Sequence, residues 1–169
     1  MLTIREATKA DVPLILDLIR GLAEYEREPD AVVATEADLL RDGFSDTPLF
    51  HCVIASWEGK SAGFAFYFFH YSTWLGKPGL YLEDLFVRPE LRGKGIGKAM
   101  LAYLAQVAVR ENCYGMRWQV LDWNQSAIDF YEKLGAQIMR QWLDVRLSRS
   151  AVESLAADFS PPSHKGMEI

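Results

Sequence analysis

Cysteine is scarce here: Cys52 and Cys113 are the only two in 169 residues, too few for a disulfide framework and without metal-ligand spacing. Both read as reduced core thiols, which points to a cytoplasmic setting and to no bound metal. Excess positive charge is missing as well. With 18 Lys and Arg against 23 Asp and Glu, the net charge of −5 argues against nucleic acid as a partner, since that binding rests on neutralising phosphates. No apolar run approaches the ~18 residues of a membrane span, and the longest, at 63–69, suits a buried strand. The opening MLTIREATKAD has no apolar signal-peptide core, and there are no internal repeats. What is present is 50% apolar residues, ample for one core, so residues 1–159 read as a single domain. Residues 160–169, with two prolines and a glycine, read as a mobile tail.

The chain is organised around residues 81–110, YLEDLFVRPELRGKGIGKAMLAYLAQVAVR. This stretch predicts a buried strand at 81–87, a turn at Arg88-Pro89, a glycine loop at 92–97 and a long amphipathic helix. Ile96, Met100, Leu101, Leu104, Val107 and Ala108 recur at helical spacing. Gly93, Gly95 and Gly97 let successive N–H groups approach one acceptor, at the positive end of the helix dipole where phosphate binds readily. Arg92, Lys94 and Lys98 add positive charge. A Walker A loop would need Gly in place of Arg92 and Ser or Thr in place of Ala99, and a dinucleotide fingerprint would need Gly in place of Lys98. Both are excluded, and an anion cradle of another kind remains.

Around it the pattern alternates between strand and helix. A first strand carries Leu2 and Ile4, and Thr8 caps a helix that ends near Tyr25. A second helix follows Thr35 and stops at Gly43. Strands are predicted at 49–57 and 61–71, joined by Glu58-Gly59-Lys60, and the second is dense in aromatics on both faces. Later elements are a strand at 115–121, a helix at 125–134, further strands within 136–147 with Trp142 and Val145 as core candidates, and a terminal helix at 150–157. The fold class is α/β, of the α+β kind; the order β-αα-βββ-α-β-α-β, with the Arg-x-x-Gly-x-Gly loop after its strand, resembles the GNAT fold, which implies a mixed central sheet with helices on both faces.

Two groups in this framework suit proton chemistry. Glu83 and Asp84 are neighbours, so in a regular strand only one faces a given cleft; a buried Glu83 would have a raised pKa and serve as a base near neutrality. A structural carboxylate holding backbone or an arginine is the other reading of Glu83. Tyr131, about two turns beyond Asn124, is a candidate acid, although Phe130-Tyr131 on a helix also suits core packing.

Several runs carry a resemblance: Ala23-Glu24-Tyr25-Glu26, Asp42-Gly43-Phe44, Phe50-His51-Cys52, Tyr81-Leu82-Glu83-Asp84, Arg92-Gly93-Lys94-Gly95-Ile96-Gly97 and Asp122-Trp123-Asn124-Gln125. From Thr3 to about Leu147 the chain resembles the spermidine/spermine acetyltransferase group of the GNAT superfamily. The resemblance implies an acetyl-CoA-dependent N-acetyltransferase acting on a small primary amine, commonly a homodimer. It implies acetyl-CoA contacts at Leu85, Phe86 and Val87, at Arg92, Gly93, Lys94, Gly95, Ile96, Gly97 and Lys98, and at Asn124, Gln125, Ser126 and Ala127. It implies Tyr131 as proton donor, and amine-side residues at Tyr25, Glu26, Glu83, Arg117, Trp118 and Gln119. Ser72 and Trp74 are further expected substrate-side residues, and Ser72 marks a departure. The polyamine enzymes carry Asp where this chain has Ser72, and an acid where it has about Arg140. Tyr71-Ser72-Thr73-Trp74 and Val120-Leu121-Asp122-Trp123-Asn124-Gln125 look instead like the branch that acetylates thialysine. A thialysine- or lysine-like amine is expected ahead of a polyamine. A non-catalytic acyl-CoA-binding module and a peptide acetyltransferase are the remaining readings.

Overall fold

The computed structural model describes residues 1–159, so the expected mobile tail lies outside the described residues. The chain divides into two compact units, Met1–Gln119 and a second from Val120 on.

The first unit holds five strands in the order β1-β2-β3-β4-β5: β1 Leu2–Glu6, β2 His51–Trp57, β3 Lys60–Ser72, β4 Lys77–Val87 and β5 Met116–Arg117. The first three pairings are antiparallel and β4–β5 is parallel, so the sheet is mixed as predicted. β2 and β3 turn through Glu58 and Gly59, both at positive φ (51° and 79°), the geometry a tight hairpin needs to match strand twist. Three helices accompany the sheet: α1 Val12–Tyr25, α2 Glu36–Gly43 and α3 Ile96–Arg110.

Side-chain alternation divides the core between the two faces. Val12, Ile15, Leu16 and Leu18 of α1 and Leu39 of α2 cluster with Cys52, Ile54, Phe64 and Phe86. Residues of the other face, including Val53, Ala65, Tyr67 and, before an irregularity in β4, Leu80 and Leu82, are also buried, as is the apolar stripe Ile96, Met100, Leu104 and Val107 of α3. Thr35 opens α2 with a capping box: its hydroxyl accepts from the Asp38 amide at 3.2 Å while the Asp38 carboxylate accepts from the Thr35 amide at 3.0 Å. Thr8 forms a capping box with Asp11, whose carboxylate accepts from the Thr8 amide at 2.7 Å. Thr8 leads a 3-10 turn at Lys9–Asp11, and α1 starts at Val12 with Pro13 in its first turn.

The second unit contains α4 Gln125–Lys133 and α5 Arg149–Ala157. Here two expectations fail. The strand expected at 115–121 shortens to β5, and residues 136–147 form no strand. Leu143, Val145 and Leu147 alternate with Asp144 and Arg146 as a strand would, yet no described strand bonds to them, and backbone without a hydrogen-bonding neighbour does not hold an extended ladder. Trp142 and Val145, expected in the core, are 64% and 89% exposed for the same reason.

Candidate active site

The glycine loop forms between β4 and α3. After a 3-10 turn at Pro89–Leu91 the backbone extends at Arg92 (φ −66°, ψ 162°) and enters α3 with Gly93 and Gly95 at φ of 78° and 79°. An L side chain in this left-handed region costs about 1–2 kcal/mol. A Cβ at either glycine would meet nothing within 4 Å, so conformation rather than crowding requires glycine, and the outer side of the loop is open. The first α-helical bond of α3 runs from the Ala99 amide to the Gly95 carbonyl at 3.0 Å. The amides of Ile96, Gly97 and Lys98 therefore precede the helical ladder and can converge on an outside acceptor. Ile96 is buried and anchors that end. This donor set fits a pyrophosphate.

The loop cations are placed less simply than their charge suggests. The Arg92 guanidinium carbon sits 4.1 Å from the centroid of the Tyr25 ring and 5.9 Å from that of Phe86, and its Nε donates to the Val87 carbonyl at 3.0 Å. Lys94 Nζ lies 5.6 Å from the Trp57 ring centroid. Both cations rest on aromatic faces instead of carboxylates.

Upstream of the loop, β4 is broken by a bulge. Leu82 pairs with Tyr67 but Asp84 pairs with Phe66, which leaves Glu83 as the extra residue. The strict alternation assumed for Glu83 and Asp84 is thus lost. Asp84 shares the Phe66 face, while Glu83 is exposed. The burial expected of Glu83 belongs to Asp84, whose carboxyl is pushed up to about 7, first by desolvation and then by the charges of Glu83 and Glu26. Glu26, at the C-cap of α1, is also held above the ordinary carboxylate range by burial. Neither has a cationic partner among the described residues. Beyond Tyr81, which pairs with Arg117, no described strand bonds to the second edge of β4, so Leu85, Phe86 and Val87 run along an edge paired only through β3.

From Asp84 the same face continues outward through Phe66, Phe68, His70 and Ser72 on β3 and Tyr81 on β4. Phe68 and Tyr81 stack at 5.0 Å, and His70 stands edge-on to Tyr81 at 6.4 Å and to Tyr114 at 5.7 Å. Gly79 is needed here, since a Cβ would collide with His70 and Tyr114. Burial and the Arg117 charge lower the His70 pKa and favour the neutral ring. The result is an uncharged aromatic lane. Ser72 lies at its far end, six residues or roughly 20 Å of extended strand beyond Phe66, and its Oγ accepts from the Leu75 amide at 3.2 Å. Trp74, in the turn that follows, is 91% exposed. The structure therefore sets Ser72 and Trp74 apart from Glu26 and Asp84 within one chain. Arg117 ends β5, with Trp118 part-buried and Gln119 exposed just after it.

In the second unit Asn124 caps α4: its Oδ1 accepts from the Ala127 amide at 3.3 Å and from Ser126 Oγ at 3.1 Å. Gln125 donates to Asp129 at 2.6 Å, one turn on. Tyr131 is buried, its ring tilted against Phe130 at 5.3 Å.

Sequence reasoning named Glu83 and passed over Asp84, Phe68, His70 and Tyr81. The signal for the lane was available, because Phe64, Phe66, Phe68 and His70 alternate along one strand. The bulge left no such mark. Among the described residues no group of three His, Cys, Asp or Glu could hold a metal ion, and no helix is long and apolar enough to cross a membrane.

Comparison with known proteins agrees with this geometry. The model of the acetyltransferase (GNAT) family matches residues 15–136. The thialysine N-epsilon-acetyltransferase of Bos taurus is 43% identical over 164 residues, covering 90% of this chain and 96% of that protein. An L-ornithine N5-acetyltransferase of Arabidopsis thaliana is 32% identical, covering 90% and 86%. Among solved structures, an integron cassette protein from the V. cholerae mobile metagenome has a TM-score of 0.77 at 28% identity, over 92% of this chain and 97% of its own. An aminoglycoside acetyltransferase from an uncultured soil metagenomic sample shares the fold, with a TM-score of 0.75 at 20% identity over 87% and 95%. The chain belongs to the GNAT family of acetyltransferases and is an N-acetyltransferase.

Proposed function

We propose that the protein moves the acetyl group of acetyl-CoA to the terminal amine of a small thialysine- or lysine-like molecule. The observation that carries the amine side is the unpaired, part-buried Asp84 on the bulge, with Glu26 and Glu83 adding negative charge around it. The cluster attracts an ammonium, and a carboxyl that titrates near 7 takes a proton from it more readily than an ordinary carboxylate does. Glu83, the residue expected for this role from the sequence, stays beside it as an exposed carboxylate. The amide array at Gly95–Lys98 holds the pyrophosphate of acetyl-CoA, and the open edge of β4 at 85–87 takes the arm that bears the thioester. One ammonium proton passes to the carboxylate. As the freed amine nitrogen bonds to the acetyl carbon the carbon–sulfur bond breaks, and the leaving thiolate takes a proton from the Tyr131 hydroxyl, the role the family resemblance gives that residue. The second nitrogen proton goes to solvent, which reprotonates the tyrosinate.

The substrate reading follows from the lane. Neutral aromatic faces suit an alkyl chain, and beyond Asp84, opposite Phe66, the β4 residues paired with Phe68 and His70 are Tyr81 and Gly79, neither of them a carboxylate to meet the inner charges of a polyamine. Three relatives named thialysine N-epsilon-acetyltransferase, 40–43% identical over 90% of the chain, support the same choice through their coverage. A polyamine as substrate is the second reading, favoured by the likeness of residues covering 79% of the chain to a human spermidine/spermine N(1)-acetyltransferase-like protein, of which they span only 20%. We further read the protein as a cytoplasmic homodimer, with exposed Trp142, Leu143 and Val145 in a strand-like segment as apolar surface for a second copy. The test is acetyl transfer from acetyl-CoA to thialysine, lysine, ornithine, spermidine and spermine, followed by thiol release. Thialysine is expected to give the highest kcat/KM; absence of turnover with every amine would defeat the proposal.

A further inference from the structure

One guanidinium touches both halves of the first unit's chemistry. Arg92 begins the glycine loop, yet its side chain turns back to the Val87 carbonyl and the face of Tyr25, the last residue of α1. Glu26 follows directly as the C-cap, and Arg27 then takes a left-handed φ of 68°. The end of α1 that carries the amine-side Tyr25 and Glu26 is thus leaned on by a residue of the anion loop.

We propose that Arg92 is a positioning residue through which occupancy of the glycine loop sets the Tyr25–Glu26 turn. The inference rests on the acetyl-CoA reading of that loop. The physical basis is the planarity of the side chain. Guanidinium N–H groups point outward in the plane, so a ring stacked on its face leaves the edge donors usable. Nε is spent on Val87, and the Nη donors can meet an anion on the neighbouring amides without leaving Tyr25. An anion that fixes those donors fixes the plane on which Tyr25 rests, and with it the turn that presents Glu26. Linkage makes the effect mutual: whatever orders the Tyr25–Glu26 turn favours anion binding by the same factor. A lysine at this place would keep the charge but, as a point charge on a flexible stem, would not join a ring face to an anion.

Hydrogen exchange of the full chain with and without saturating CoA tests this. In the wild type, CoA is expected to slow exchange several-fold both at residues 93–100 and at residues 24–31. In Tyr25→Leu, which leaves the loop cation in place, slowing at 93–100 should persist and slowing at 24–31 should vanish; Tyr25→Phe, which keeps a ring face, should restore it. Arg92→Lys should behave like Tyr25→Leu. A merely structural Arg92 would change the exchange level of 24–31 but not its dependence on CoA. Slowing confined to 93–100 in the wild type, or an undiminished response of 24–31 in Tyr25→Leu, overturns the coupling and leaves the acetyl-CoA reading intact. No slowing at 93–100 in the wild type overturns the acetyl-CoA reading, and the coupling with it.

Discussion

Among the described residues, the bulge on β4 and the loop before α3 both carry charge without a salt-bridge partner, but they keep it in opposite ways. Asp84 and Glu26 are desolvated carboxylates with no salt bridge among the described residues, and their pKa values are raised. Arg92 and Lys94 are exposed cations that rest on the rings of Tyr25 and Trp57. Elsewhere the chain pairs its charges directly: Arg5 with Asp11 and Arg88 with Asp17, each at 2.6 Å. The contrast separates charge used to hold the fold from charge left over for a ligand. Burial makes the first region sensitive to protons, whereas exposure makes the second sensitive to backbone shape and to salt.

The largest effect should come from the buried region. Asp84→Asn keeps the shape and removes the acceptor, so kcat should fall by about 10²–10⁴-fold, the usual contribution of acid–base catalysis. Glu83→Gln should cost less, because an exposed carboxylate contributes mainly field. Steady-state rates of both variants decide the assignment: a greater loss in Glu83→Gln would return the acceptor role to Glu83 and leave Asp84 as its neighbour.

At the loop, Gly95→Val forces a branched side chain into φ 79° and places it where a pyrophosphate must approach. If the free loop relaxes away from φ 79°, binding must restore it at a cost of about 1–2 kcal/mol, roughly tenfold in CoA affinity, with obstruction adding to it. Calorimetry of CoA binding checks this, and an unchanged affinity would remove the cradle.

The two regions should also part on pH. Folded Asp84 titrates at about 7 from an ordinary value of 3.8, so between these values the native state holds a proton that the unfolded chain has released. Stability from this group is therefore highest below about pH 4, declines as pH rises toward 7, and is level above. Asp84→Asn abolishes that slope, so its melting temperature should gain on the wild type by a few degrees across this window. Melting curves from pH 4 to pH 8 test the sign. A gap that narrows with rising pH would contradict the desolvation account.

These regions differ as well in how far the sequence disclosed them. Glycine at positions 93 and 95 is legible because only backbone conformation is at issue, and the apolar stripe of α3 is legible because its period is local. The capping pair Thr35 and Asp38 is local in the same sense. Asp84 was hidden by a register change that depends on β3 lying alongside, and the Arg92–Tyr25 contact joins residues distant in sequence. Residues 143–147 show the converse: a strand period was present, but a strand also needs a neighbour, and sequence alternation does not supply one.

The smallest expected effect lies farthest from both regions. Ser72 is at the outer end of the aromatic lane, roughly 20 Å along the strand from the residue opposite Asp84. A lysine-sized amine held at Asp84 ends well short of it, so Ser72→Asp should leave kcat/KM for thialysine nearly unchanged. A polyamine extends further along the lane with a positive charge at its outer end, and an added carboxylate there would attract it. Ser72 is only part-buried, so the gain should stay at or below about 1 kcal/mol, a few-fold in kcat/KM for spermine and less for spermidine. Measured on wild type and variant with all three amines, the ratios separate length from charge. Equal gains for thialysine and spermine would mean that Ser72 acts near the reacting amine, and a wild type that prefers spermidine would refute the neutral lane as the source of specificity.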